Sequence, residues 1–457
     1  MFRTARLLAA LAPMLLAACN DHNHGYDGNG PPPIQGPQAS LQVLHASPDA
    51  PPVNVLIDGS LAIPNLDYGQ GTGEQQIAAG MHTIEIQTLT PGSPTTVIGP
   101  TTLTLAADTD YVVAAEGPVA SIAAQTFLHP LALVGPNSTQ VQVLHAAPNA
   151  PSVSVYVTAP GADLASSTAF GTASFQGAIG PTQIASGQYE LRVTAAGTPT
   201  SVLFDSGTIS LVGGTDLVIS ALQNEYPGTA PIFLSVVDAL GNITRIFDVS
   251  TPANVRVVND SPDAPALSVI ANGNTATPLV PSLGFEASTP YDSLTPGTLS
   301  IVITPASNTG DVLISQSGIL IAGSVSSIYT VGDLANIQTF VTQDYDRRYA
   351  TQAKLRVIQG SPSAGLVDVY VTAPGTSIAS VAPTYPGVAF LNDTGFVSYA
   401  ADTYELAITP TGSKTPAIGP VAMSLINTGI YTAVIRDAAG GGTPLGIIYL
   451  DDFDGSP

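Results

Sequence analysis

The sequence predicts an all-β protein: four tandem immunoglobulin-like β-sandwich domains after a signal peptide and a disordered tether. Three observations predict it. The chain of 457 residues repeats one pattern four times. Turn-forming residues recur at roughly the 8–12-residue spacing of sandwich folds, and no stretch after Cys19 sustains a helical apolar period with caps. Gly 44 and Pro 39 punctuate the chain without reaching the roughly 25–30% at which low-complexity disorder becomes the expectation. A hydrophobic fraction of 44% suffices for packed cores.

Residues 1–18 read as a lipoprotein signal peptide. Arg3 and Arg6 give a basic start, and the apolar run from Leu7 to Ala18 is too short to span a bilayer. It ends in Leu16-Ala17-Ala18-Cys19, which resembles the bacterial lipobox, where the cysteine becomes the lipidated first residue. Cys19 is the only cysteine, so no disulfide framework is possible and lipidation is its expected fate. Each buried acyl methylene contributes about 0.8 kcal/mol, so several chains anchor stably. Asn20 fits outer-membrane delivery if the cell is Gram-negative. Residues 19–40, the lipidated Cys and a flexible linker, are rich in Asn, Asp, Gly and Pro with little to bury. His22 and His24 beside Asp21 and Asp27 allow a weak divalent-metal site to be drawn, but an arm without preorganised geometry favours a solvated linker.

The four units follow as residues 41–138, 139–252, 253–350 and 351–457. They open with VLHASPDAPPVNVLIDG from Val43, VLHAAPNAPSVSVYVTAPG from Val143, VVNDSPDAPALSVIANG from Val257 and VIQGSPSAGLVDVYVTAPG from Val357. Units 1 and 3 share SPDAP and a short Asp58-Gly59 or Asn272-Gly273 turn; units 2 and 4 share VYVTAPG and later YELRVT or YELAIT. The pattern is that of a duplicated pair. About 14 extra residues lie where the pairs join, around Gln223 to Asn254. In unit 2, Tyr189, Leu191 and Val193 alternate with polar residues and predict a half-buried strand. Gly80, Gly187 and Gly297 precede the corresponding strands of units 1 to 3, and Asp402, which stands there in unit 4, is expected to tolerate the turn. A second β-branched strand follows in each unit, at Tyr111–Val113, Leu217–Ile219, Ile328–Val331 and Ile430–Val434.

The opening motif, the turn before an alternating strand and the later Asp-Tyr-Val-Val strand resemble the bacterial domain of unknown function DUF4397. The match is tightest at the openings of units 1 to 3; Ser363-Ala364-Gly365 departs from it in unit 4. The resemblance implies an extracytoplasmic β-sandwich module, often tandem, on bacterial surface proteins, and it implies no chemistry.

Lys+Arg is 11 against Asp+Glu 33, a net charge of −22, so the chain cannot build the basic stripe that neutralises phosphates, which excludes nucleic acid as a main partner. Within the motif, His45 and His145 become Asn259 and Gln359, which excludes a metal or general-base role common to all units. Asp49, Asn149, Asp263 and Ser363 can all cap a turn, and Pro48, Pro148, Pro262 and Pro362 suit a rigid one. No Ser sits in a G-x-S-x-G elbow, units 3 and 4 contain no His, and the acidic residues are scattered singly, so no enzyme is expected and no cofactor. The end Asp451-Asp452-Phe453-Asp454-Gly455 could hold Ca²⁺ weakly but lacks the spacing of a calcium loop, and a solvated acidic end is expected instead. The leading reading is a lipid-anchored, non-catalytic structural or adhesive stalk in the cell envelope, in contact with envelope polysaccharide or another surface protein. The alternative is a carbohydrate- or solute-binding surface lipoprotein, although Trp 0 leaves few sugar platforms.

Overall fold

The computed structural model describes residues 36–130, 133–344 and 347–452. Cys19, His22, His24 and Asp454, with the signal peptide and most of the linker, lie outside the described residues. Among the described residues, units 1, 3 and 4 each have eight strands and unit 2 has nine. Unit 1 has β1 (Gln38–Ala46), β2 (Val53–Ile57), β3 (Ser60–Leu66), β4 (Gln75–Ala78), β5 (Gly80–Thr88), β6 (Thr95–Leu105), β7 (Asp110–Glu116) and β8 (Ala123–Leu128). Unit 2 has β9 (Ser138–His145), β10 (Val153–Thr158), β11 (Gly171–Ala173), β12 (Gly177–Ala185), β13 (Gly187–Ala195), β14 (Val202–Leu211), β15 (Thr215–Gln223) and β16 (Ile232–Asp238). A ninth strand, β17 (Ile243–Ile246), follows in the longer join between the pairs. Unit 3 has β18 (Ala253–Asp260), β19 (Leu267–Ala271), β20 (Val280–Leu283), β21 (Asp292–Leu294), β22 (Gly297–Pro305), β23 (Ile314–Leu320), β24 (Val325–Val331) and β25 (Gln338–Gln343). Unit 4 has β26 (Ala353–Gln359), β27 (Val367–Thr372), β28 (Tyr385–Val388), β29 (Val397–Tyr399), β30 (Asp402–Pro410), β31 (Ile418–Leu425), β32 (Ile430–Arg436) and β33 (Gly446–Asp451).

One topology recurs. In unit 1 the sheets run β4-β1-β7-β8 and β3-β2-β5-β6, and units 3 and 4 repeat that order strand for strand. Unit 2 repeats it with β17 added outside β16. The opening strand of each unit runs parallel to the later β-branched strand, as β1 does to β7 and β26 to β32; the other pairings are antiparallel. Alternation along the strands fills each sandwich from both sheets. Leu41, Val43, Val53, Val55, Ile84, Ile86 and Val113 are buried together in unit 1, and Leu191 and Val193 join the core of unit 2 with Tyr189 packed against it.

The glycines before the alternating strands take positive φ at Gly80, Gly187 and Gly297. Asp402 does not share that conformation. It opens β30 without a positive φ, its carboxylate accepting from the Thr403 N–H at 2.7 Å.

The first sheet of each unit is buried on both faces. Leu44, Ala46, Val112 and Ala114 of unit 1 pack against Leu144, Ala146, Val218, Leu222 and Phe233 of unit 2. Val258, Tyr329 and Val331 of unit 3 meet Ile358, Val434, Ile448 and Leu450 of unit 4 in the same way. The units therefore dock in pairs, sheet on sheet, and both pairs use corresponding strands. The pairs also touch. Arg347, in the segment between units 3 and 4, donates to the carbonyls of Pro48 and Ala50 and pairs with Asp67 in unit 1, while the Ala350 N–H donates to Asp49 O at 2.8 Å. Four independent beads on a line are not what these contacts describe.

Candidate functional site

The opening motif places four different side chains in one structural job. His45 accepts from the Ser47 N–H through Nδ1 at 3.2 Å, and its Nε2 lies 3.1 Å from Pro51 O. His145 repeats this with Ala147 N–H and Pro151 O. Asn259 accepts from Ser261 N–H at 3.1 Å and donates to Leu283 O; Gln359 accepts from Ser361 N–H at 2.7 Å and donates to Gly365 O. Each bridges an N–H two residues on and a carbonyl, which needs one acceptor and one donor and nothing more. Neutral imidazole supplies both: burial, then the nearby Arg347 charge, push His45 down to about 4, so it stays uncharged at neutral pH.

The next position reaches further than a local turn cap. Asp49 accepts from Val119 N–H at 2.7 Å, Asp263 from Leu334 N–H at 2.6 Å, Asn149 donates to Pro231 O, and Ser363 donates to Asp437. All four hold the loop that follows the later β-branched strand of the same unit. The motif is a clasp across one end of the sandwich.

The polar groups that sequence reasoning missed lie between units. Corresponding residues Gln42, Gln142, Arg256 and Arg356 each donate across the pair interface to a backbone carbonyl at an equivalent place in the partner unit. Gln42 reaches Asp238 O (3.3 Å), Gln142 Leu128 O (2.9 Å), Arg256 Asp451 O (3.2 Å) and Arg356 Gln343 O (3.4 Å). Strand registers make the four acceptors equivalent, because they pair with Leu217, Tyr111, Tyr431 and Ser326 in that order. Each interface thus has a local two-fold relation between its two units.

In the second pair this relation carries charge. Arg356 meets Asp344 at 2.7 Å and Arg256 meets Asp452, with the crossed distances at 3.7 Å (Arg256 to Asp344) and 3.6 Å (Arg356 to Asp452). Arg256 Nε donates to Ser327 Oγ and Arg356 Nε to Thr432 Oγ1; those hydroxyls donate to Asp344 and Asp452. Tyr291 covers the Arg256 guanidinium at 4.6 Å and Phe396 that of Arg356 at 4.3 Å. Burial opposes both guanidinium charges, and the neighbouring tyrosines and carboxylates outweigh it, so both are held protonated. Asp452 is therefore no solvated end: it is buried, with its oxygens taken by Arg256 and Thr432. Asp451 beside it is exposed and paired in β33.

In the first pair His129 stands where Asp344 and Asp452 stand in the second. It is buried, with Nδ1 2.8 Å from Gln142 Oε1 and Nε2 2.8 Å from Asp216, and Glu74 lies close enough for the three to surround a cation. Gln142 Nε2 is spent on Leu128 O, which fixes the amide with its oxygen toward the ring. Both ring nitrogens then face acceptors, an arrangement only the imidazolium satisfies. Burial lowers His129, but the Asp216 hydrogen bond and charge, with Gln142 and Glu74, raise it overall. The cluster is an ion pair rather than a ready metal centre, since a metal needs a bare nitrogen.

The family model for DUF4397, described as a domain of unknown function, matches residues 39–156 and 253–370. Each match starts at the same place in units 1 and 3 and runs into the second strand of the following unit. No curated protein matches the chain.

Proposed function

The chain belongs to the DUF4397 family, and from that premise we propose that it is a lipid-anchored bacterial cell-envelope protein acting as a non-catalytic structural or adhesive stalk. One observation carries this reading: the motif side chains and the buried charges act as fasteners, within units and between them. His45, His145, Asn259 and Gln359 interchange freely in the clasp, which acid–base or metal chemistry would forbid. Units docked through buried sheet faces suit a rigid spacer, and binding to envelope polysaccharide or another surface protein then falls to sandwich ends and sheet edges, gaining avidity from several weak contacts. Among the described residues no helix is long and apolar enough to cross a membrane; the anchor in this reading is acylated Cys19. Labelling cells with a palmitate analogue should mark the protein, and Cys19→Ala should abolish the label and release the chain from membranes. Unchanged membrane association of that variant overturns the anchor.

A further inference from the structure

Among the described residues unit 2 has one strand more than the other units, and that strand fills a place left open in unit 4. β17 lies antiparallel along β16, setting Ile246 opposite Leu234 and Thr244 opposite Val236. Ile246, like Ile209 and Leu217, is half-buried and packs against the core that contains Leu191, Phe204 and Leu234. The chain then crosses to the other sheet, where the Val249 N–H donates to Asp205 O at 2.9 Å and Asp248 accepts from the Asp205 N–H at 2.8 Å. β17 and the residues after it close the mouth of the sandwich between β14 and β16.

Among the described residues, unit 4 has the same mouth without an extra strand. Tyr404 pairs with Met423 as Tyr189 does with Ile209, and Ile408 with Ile418 as Val193 does with Phe204. Tyr431 pairs with Asp451 as Leu217 does with Asp238, which puts Ile447 in the place of Leu234 and Tyr449 in that of Val236. Leu406, Ile418, Met423, Tyr431, Ile447 and Tyr449 line an apolar cavity of about 440 Å³ between β31 and β33. β33 is the last strand of its sheet. The corresponding cavity of unit 3 is smaller, about 320 Å³, and is lined in part by Gln316, Ser317 and Ser326.

We infer that the mouth of unit 4 accepts an extended peptide strand from a partner protein, laid antiparallel on β33 with one aliphatic side chain seated in this cavity. The occupant is argued from unit 2, where the chain fills the equivalent space with a strand. Backbone pairing to the sheet edge supplies affinity in that mode and the seated side chain supplies selectivity. The lining carries no charged side chain, so the seat takes Ile, Leu or Val. The inference stands apart from lipid anchoring and needs no membrane.

The protein's own sequence provides the probe: a synthetic peptide of residues 242–250, added to the full chain. Saturable binding is expected, with slowed amide exchange across residues 446–451. Ile246→Asp in the peptide should weaken binding at least tenfold. Val421→Trp in the protein should do the same, since Val421 is 44% exposed at the rim and the larger ring blocks entry without burdening the core. If that variant folds poorly, Ile447→Asp tests the seat directly. Equal binding by the Ile246→Asp peptide overturns the inference, as does no binding at millimolar peptide. Exchange protection confined to β16 would mean displacement of β17 in unit 2, and binding without protection in β33 would mean a small-molecule-like mode; either outcome overturns it. Self-association of the chain that disappears in Val421→Trp would assign the mouth to a second copy and overturn the partner-protein reading.

Discussion

At the scale of single residues, a buried arginine is tolerated when each guanidinium nitrogen finds an acceptor, and Arg256 and Arg356 meet that condition only because two units face each other. Replacing one arginine leaves two buried carboxylates facing a single cation. Arg356→Met should therefore cost about 3–5 kcal/mol, whereas replacing both arginines and both aspartates by apolar residues should be near neutral or stabilising. Urea unfolding of the two variants measures the difference. Glu116 and His129 are among the groups that tie stability to pH. Burial raises Glu116 to about 8, and its oxygens have no hydrogen-bond partner. The folded state then holds a proton that the unfolded state releases near its ordinary value of 4.5, so stability falls as pH rises from there to about 8. His129 acts in the same direction over a higher window: with its value raised by Asp216, its contribution is complete below the ordinary 6.5 and is lost as pH rises through the native value. We expect unfolding free energy to decline between pH 6 and 9. Glu116→Gln should remove part of the slope and add on the order of a few kcal/mol at the alkaline end. A pH-independent free energy over that range contradicts both assignments.

At the scale of elements, β1 shows what its sequence conveys and what it withholds. Leu41 and Val43 alternate with Gln42 and Leu44, and the alternation alone gives the strand and its inner face. The outer face is buried as well, against the partner unit, and a polar residue at an outward position reads as solvent-facing unless the second unit is known. That is why the column Gln42, Gln142, Arg256 and Arg356 was hidden: each side chain meets acceptors in a different unit, set by docking rather than by local pattern. The duplicated pair, the recurring strands of each unit and the extra residues that include β17 were legible because turns and alternation are local. The Arg347 joint was not, since its partners Pro48, Ala50 and Asp67 lie in unit 1. Arg347 is stacked over Tyr68 at 5.3 Å and Tyr349 at 4.6 Å. Arg347→Ala strips two carbonyls and Asp67 of a charged donor, at a cost of about 1–3 kcal/mol, and it should free the segment before β26 to proteolysis. Unaltered stability and cleavage would mean that this joint holds nothing.

At the scale of the whole molecule, each pair interface places corresponding strands of two related units face to face, so either unit already carries much of what its partner supplies. Unit 3 is the sharpest case. Arg256 pairs with Asp452 of unit 4, and Asp344 occupies the equivalent place in unit 3, following the residue that pairs with Ser326 as Asp452 follows the residue that pairs with Tyr431. A second copy of unit 3 would present Asp344 where unit 4 presents Asp452. Val258, Tyr329 and Val331, fully buried in the chain, would lie exposed on an isolated unit, and an apolar face rimmed by complementary charge favours association. A fragment of residues 253–344 should thus form a symmetric dimer in which each Arg256 meets the other copy's Asp344. Sedimentation equilibrium should find that dimer at micromolar concentration. Arg256→Glu should dissociate it by setting like charges together, and adding Asp344→Arg to that variant should restore it. A folded monomer at high concentration, or a dimer indifferent to the charge reversal, would mean that the pair interface depends on features unique to unit 4 rather than on the shared topology of the repeat.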